Sequence, residues 1–261
     1  MPAPCIDSHC HLDVPAFDAD REACWQRARQ AGVTALVLPA IERRTWQRVR
    51  AVAQGYPGVY PAYGLHPVYL QQHRQEDLQD LARWLQAGDA VAVGECGLDG
   101  FVPGLAMDAQ WTLFSAQLDL AREAGLPVIL HARRAVDLVT KALRARPGLE
   151  GVVHSFSGSR QQADRLLERG FLLGLGGPVT HPRAQRLRRL AAELPLEGLL
   201  VETDAPDQPG AAHRGERNEP AWLPEIIREI ATLRGESPGH VAAVTADNAR
   251  RLFRLPETPA A

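Results

Sequence analysis

Ile6-Asp7-Ser8-His9-Cys10-His11 places two histidines one residue apart at the end of a short apolar run near the N-terminus. In an extended strand successive side chains alternate faces, so His9 and His11 are expected on one face. Two imidazoles placed this way, each able to sit about 2.0 to 2.1 Å from a shared ion, can hold one zinc-like metal. Histidines and carboxylates recur later, each just after another short apolar run: His66 in GLHP, Glu95 and Asp99 in GECGLD, His131, His154, and Glu202 and Asp204 in ETD. Taken singly, His131 or His154 reads as a hydrogen-bonded core histidine, His66 before Pro67 as a turn former, Glu95 as a helix cap and Asp204 as a turn residue. Taken together, five of the nine histidines follow apolar runs, accompanied by carboxylates, while His73, His181, His213 and His240 fall elsewhere. That joint pattern implies a divalent-metal site.

The elements that must position these residues are legible from periodicity. Strands are expected in the opening run and at 33–39, 58–65, 90–94, 127–130, 151–153, 171–175 and 199–201. Helices are expected at 18–32, 42–54, 76–87, 107–124, 135–146, 161–169, 182–194 and 221–233, several of them stopped by a glycine such as Gly55, Gly88 or Gly125. The segment 237–253 reads as two short helices packed under the body. Short, nearly continuous apolar runs alternating with helices are what a parallel sheet covered on both faces requires. Eight such units predict a (β/α)8 TIM barrel, an α/β fold, as one domain over 1–261. A doubly wound open sheet is the alternative, but no glycine-rich phosphate fingerprint follows the first strand.

Bulk properties agree. A chain of 261 residues with 45% hydrophobic content can bury a sizeable single core. The net charge of -2 excludes a broad basic surface that would coat nucleic acid non-specifically, so anion binding must be local. Cys5, Cys10, Cys24 and Cys96 form no C-x-x-C pair, which predicts a reducing, cytoplasmic setting. No window of about 18 apolar residues and no basic-then-apolar leader occurs, so neither membrane insertion nor export is expected.

The blocks IDSHCHLD, GLHP, VGECGLD, LPVILHARR, VVHSFSG and ETDAP, in this order, resemble the signature segments of the TatD-type metal-dependent deoxyribonucleases, within the amidohydrolase-type barrel superfamily. The downstream GVVHSFSGS, GGPVTHPRA and LLVETDAPD run is most similar to the YjjV-like branch, and the likeness continues to the DNARRLF tail. The resemblance implies a hydrolase with two divalent metals. His9, His11, Glu95 and Asp204 would hold one, and Glu95, His131 and His154 the other. Glu95 would bridge, since the two oxygens of a carboxylate can span ions about 3.5 to 4 Å apart. A carboxylated lysine is excluded as the bridge because Lys141, the only lysine, falls inside an expected helix. Imidazoles mixed with carboxylates suit Zn, Mn, Co or Ni, and the resemblance also admits Mg.

The expected reaction is phosphodiester hydrolysis in DNA or an oligonucleotide, exonuclease-like because the site is pocket-sized, with a hydroxide on the metals as nucleophile. Glu95, Asp204 and His66 are the expected catalytic groups. Asp204 would coordinate through one oxygen and orient or deprotonate the attacking water with the other. His66 would contact a phosphate oxygen or the departing group, Arg133 would fork onto a phosphate, and Glu202 would support the ligands from behind. The family often follows this arginine with an acidic residue, whereas Arg134 stands here, which leaves specificity open. Arg214 and Arg217, in the long 205–220 connection, either add positive charge to the site or are solvated surface. The alternative activity is amide or ester hydrolysis at the same two-metal centre, as in an aminoacyl-tRNA deacylase-like enzyme. A non-catalytic metal-dependent binding barrel is a third reading. No obligate protein partner is expected.

Overall fold

Eight short apolar runs account for the architecture: β1 (Cys5–Asp7), β2 (Val33–Pro39), β3 (Val59–Tyr63), β4 (Ala92–Asp99), β5 (Val128–Arg133), β6 (Gly151–Val153), β7 (Phe171–Leu175) and β8 (Leu199–Val201). The structure is a computed structural model and describes residues 3–257. The strands pair in sequence order, each parallel to the next. Nearly every strand residue is buried, which demands cover on both faces. The intervening helices supply the outer cover: α1 (Arg21–Gln30), α2 (Trp46–Gly55), α3 (Gln75–Gln86), α4 (Met107–Ala124), α5 (Val136–Arg144), α6 (Arg160–Leu167), α7 (Gln185–Glu193) and α8 (Leu223–Arg234). Chain just beyond β1 and β8 closes the ring. Ser8 N donates to the Val201 carbonyl at 3.0 Å, Asp204 N to the His9 carbonyl at 2.9 Å and His11 N to the Ala205 carbonyl at 2.8 Å. This is the expected (β/α)8 barrel.

Strand alternation sorts the apolar side chains into two layers. Leu36, Leu38, Leu130, Val153 and Leu173 pack outward with the helices, while Ile6, Val37, Ile129, Val152, Leu172 and Leu200 fill the interior. The interior cluster continues into Ala246, Ala249, Leu252 and Phe253 of α9 (Pro238–Phe253), which plugs the end of the barrel where the strands begin. Asn248 Nδ2 fastens it there, donating to the carbonyls of Leu196 and Leu199 at 2.9 Å each.

Three expectations need correction. The tail is one helix of 16 residues, not two: Ser237 caps it, accepting from His240 N at 3.2 Å, and one unbroken buried stripe follows. β4 runs on to Asp99 instead of stopping at Gly94, and Gly94 and Gly97 are sites of close approach by β5. At Gly97, with φ 144°, a Cβ would lie 2.0 Å from the His131 carbonyl oxygen. α1 and α2 begin later than expected because short 3-10 turns at Pro15–Phe17 and Arg43–Thr45 take up the chain before them. Among the described residues no helix is long and apolar enough to cross a membrane.

Candidate metal centre

β1 ends at Asp7, so His9 and His11 are not strand residues as expected; they lie in the extended chain beyond it. The expected geometry nevertheless holds, because that chain still bonds like a strand on both sides. Ser8 N donates to Val201 of β8, and Cys10 N to the Val37 carbonyl of β2 at 3.1 Å. Alternation therefore persists past the last regular residue, and the two Nε2 atoms come to 3.2 Å. Asp7 secures the arrangement from below. Its Oδ1 accepts from His9 N at 3.2 Å and Thr203 N at 3.0 Å, and its Oδ2 from the Thr203 hydroxyl at 2.6 Å, tying the His9 segment to the Asp204 segment.

Glu95 projects from β4 into the centre of the mouth, and its two oxygens face different partners. His9 Nε2 lies 3.2 Å from Glu95 Oε2 and 3.5 Å from Asp204 Oδ1, and His11 Nε2 lies 3.6 Å from each. Four donors surrounding a tetrahedral ion at about 2.0 to 2.1 Å stand about 3.3 to 3.4 Å apart. The measured separations bracket that value, so these residues fit a metal. On the other side, Glu95 Oε1 meets His154 Nε2 at 2.8 Å, His66 Nε2 at 2.9 Å and His131 Nδ1 at 3.2 Å. The rings of His9 and His154 stack with centroids 3.9 Å apart.

Hydrogen bonds at the far nitrogens distinguish ligands from donors. His11 Nδ1 lies 3.1 Å from the Pro39 carbonyl, so Nδ1 carries the proton and Nε2 keeps its lone pair for the centre. His131 Nε2 lies 2.8 Å from Asp99 Oδ2, which leaves Nδ1 free. His66 is wired the opposite way. Its Nδ1 accepts from Val68 N at 3.1 Å, so in the neutral ring Nε2 holds the proton and points into the cavity as a donor. His66 thus groups with Glu95 and His131 within ligand reach, yet in the neutral ring its cavity-facing nitrogen bears the proton.

Glu202 lies beneath these rings but 3.7 Å from His154 Nδ1, beyond hydrogen-bond range. Its carboxylate instead accepts the Ser155 N–H and the Ser8 hydroxyl. A Cβ at Gly174 would lie 2.2 Å from Glu202 Oε2, so glycine makes the room. Asp204 sits in the left-handed region with φ 57°; its Oδ1 faces His9 and His11, and its Oδ2 takes the amide of Gln208. Gln208 is in turn held by the Ser155 hydroxyl at 2.8 Å.

The electrostatics follow from burying these groups together. Burial, aided by neighbouring His154, pushes His9 down to about 4 and so keeps its ring neutral near pH 7. Burial opposes the Glu95 carboxylate, but His154, His66 and His9 override it and hold it well below its usual range. Burial would also lower His154, yet Glu95 beside it raises it to about 10. Glu202, where burial prevails, is pushed up to about 8. One buried carboxylate ringed by imidazoles, with a second at the edge, is a donor set able to hold divalent cations.

These groups open into a cavity of about 670 Å³ whose walls include Val14, Ile41, Val136, Phe156 and Leu187, with Arg133 at its edge. Arg217 is no part of it. It pairs with Asp20 at 2.7 Å and packs 4.5 Å from the Phe17 ring, bracing the long 205–220 connection against α1. Sequence reasoning missed Asp99, Asp7 and Gln208 as supports. The first two sit inside the signature blocks, whereas nothing local marks Gln208.

The family model described as TatD related DNase matches residues 6–254. The metal-dependent hydrolase YjjV of Escherichia coli K12 is 42% identical over 254 residues, covering 96% of this chain and 98% of its own. The 3'-5' ssDNA/RNA exonuclease TatD of Pectobacterium parmentieri is 38% identical, covering 96% and 99% respectively. The crystal structure of Escherichia coli YjjV superposes with a TM-score of 0.94 over 98% of this chain and all of the other. Likeness that continuous, from the first histidine pair to the last helix, has one reading: the chain belongs to the TatD-related DNase family of metal-dependent hydrolases.

Proposed function

We infer that this protein is a two-metal phosphodiesterase that removes nucleotides from the end of a single-stranded nucleic acid, with the chain acting as one catalytic domain. The observation that carries the reading is Glu95, whose Oε2 faces His9 and His11 while its Oε1 faces His131 and His154. We assign His9, His11, Glu95 and Asp204 to one ion and Glu95, His131 and His154 to the other. Two divalent cations there would lower the pKa of a water and neutralise charge on the attacking and leaving oxygens of an in-line displacement. The names of the Pectobacterium relative and its kin support nucleic acid as the substrate. A cavity of about 670 Å³, not an extended basic groove, supports attack from an end. Four free, buried cysteines support a reducing cytoplasmic setting.

The chain's own groups divide the work. Asp204, with Oδ2 steadied by Gln208, orients the attacking water and takes its proton. His66, protonated on Nε2, donates to a phosphate oxygen or to the departing oxygen. Arg133 forks onto a non-bridging phosphate oxygen pair. Glu202 fixes the backbone turn at Ser155 and so the angle at which His154 enters the centre.

Elemental analysis of the purified protein, paired with digestion of 3'- and 5'-labelled single-stranded oligonucleotides, tests the reading. Two equivalents of a divalent metal and stepwise release of mononucleotides from one end are expected. Metal-loaded protein that leaves phosphodiesters intact while cleaving carboxylic esters or amides would overturn it.

A further inference from the structure

Arg133 lines the cavity, and among the described residues no carboxylate pairs with its guanidinium. It lies 3.6 Å from the ring centroid of Phe101, and the guanidinium of Arg134 lies 4.6 Å from the same ring. Arg43, Arg50, Arg146 and Arg188, by contrast, each pair with an acidic residue at 2.5 to 2.8 Å. Phe101 keeps 43% of its surface exposed, the most of any large hydrophobic residue among those described. A lone exposed phenylalanine needs no explanation. Two guanidiniums laid on that ring, neither with an acidic partner among the described residues and one of them lining the cavity, combine the parts that grip a single strand: flat surfaces for bases and forked donors for phosphate.

The arrangement is built into the centre. Asp99 Oδ2 accepts from His131 Nε2 at 2.8 Å, while Asp99 Oδ1 accepts the N–H groups of Phe101 at 2.7 Å and Val102 at 2.8 Å. One buried carboxylate therefore sets both a metal-facing imidazole and the turn that presents the ring. Gly100 N donates to the Arg133 carbonyl at 2.8 Å. A Cβ at Gly100 would lie 2.9 Å from the Arg134 carbonyl oxygen, so glycine lets the turn pack against both arginines.

We propose that Phe101, Arg133 and Arg134 form a subsite for the second nucleotide of a single-stranded end, its base stacked on the ring and guanidinium layer and its phosphate held by the guanidinium N–H groups. The proposal rests on the phosphodiesterase reading above. It makes the strand, rather than one phosphodiester bond, the recognised object. Bases in a duplex already stack on their neighbours and are not available to the ring.

The test compares kcat/KM of the metal-loaded enzyme on a single-stranded decanucleotide and on a one-nucleotide chromogenic phosphodiester, which reaches the metals but not the rim. Phe101→Ala and Phe101→Leu should each lose roughly tenfold more on the decanucleotide than on the small ester, chiefly through KM, within the range of base–aromatic stacking. Phe101→Trp should restore the ratio, which a merely space-filling role would not require. Arg134→Ala should flatten the dependence of log kcat/KM on log salt by about 0.7, one phosphate contact on a single strand. Equal losses on both substrates, or a Phe101→Leu variant as selective as the parent, would overturn the subsite alone. A parent enzyme inactive on both substrates would overturn the phosphodiesterase reading and the subsite with it.

Discussion

The two ends of the barrel are built from the same eight strands and share nothing else. Where the strands begin, inward positions such as Ile6, Val37, Ile129 and Leu200 meet α9, and the interior is aliphatic. Where they end, the inward positions are His9, Glu95, His154, Glu202 and Asp204, all buried and all polar. The base is satisfied by contact alone. The mouth holds ionisable groups at hydrogen-bond distance from one another, with the Nδ1 atoms of His9 and His154 buried and lacking a partner among the described residues. Burying such groups is costly unless they are paired or coordinated, so the mouth contributes function and the base contributes cohesion.

That division can be broken, the largest effects first. Glu95→Gln should reduce turnover by at least about 10³-fold, since it removes charge from the one residue shared by both halves of the centre. Metal content should fall below two per chain, and added metal should raise Tm in stripped parent protein but not in this variant. Phe253→Ala attacks the opposite end. It should cost about 3 to 5 kcal/mol and lower Tm by roughly 10 °C, while kcat of the folded fraction stays at the parent value. A Phe253→Ala enzyme with normal Tm would contradict the role given to α9.

Smaller effects sharpen the contrast. Asp99→Asn should weaken metal affinity by about 10- to 100-fold, measured by competition with a chelator, because His131 loses the acceptor that orients it. Its Tm in chelator should fall by a few degrees as well, since the same buried carboxylate accepts the N–H groups of Phe101 and Val102. Asn248→Ala should leave metal affinity alone and cost about 1 to 3 kcal/mol, read from denaturant midpoints, as the carbonyls of Leu196 and Leu199 lose their donor.

The fold was largely legible because its signal is local: an apolar run of strand length, a helix, a glycine stop, repeated. It failed where local chemistry has two meanings. Gly94 read as the end of a strand, but it and Gly97 are the places where β5 passes too close for a side chain. The 237–253 segment read as two helices, yet one continuous apolar stripe joins its halves. The site was legible to the degree that its residues follow apolar runs. His131 and His154 could be placed that way, as could Glu95 and Asp204. Gln208 could not, because its contact with Asp204 depends on left-handed backbone at both residues, one just before and one inside a long connection.

Residue type and spacing by themselves determined that this chain makes a barrel and that imidazoles and carboxylates collect at one mouth of it, since strand periodicity and strand order dictate which side chains share an end. Only the tertiary structure decided which nitrogen His11 and His131 offer. That choice rests on partners distant in sequence, Pro39 for His11 and Asp99 for His131, whereas the Val68 amide that sets His66 is only two residues away. A histidine becomes a ligand or a donor according to where its other nitrogen is bonded, and for His11 and His131 that bond exists only once the chain has closed.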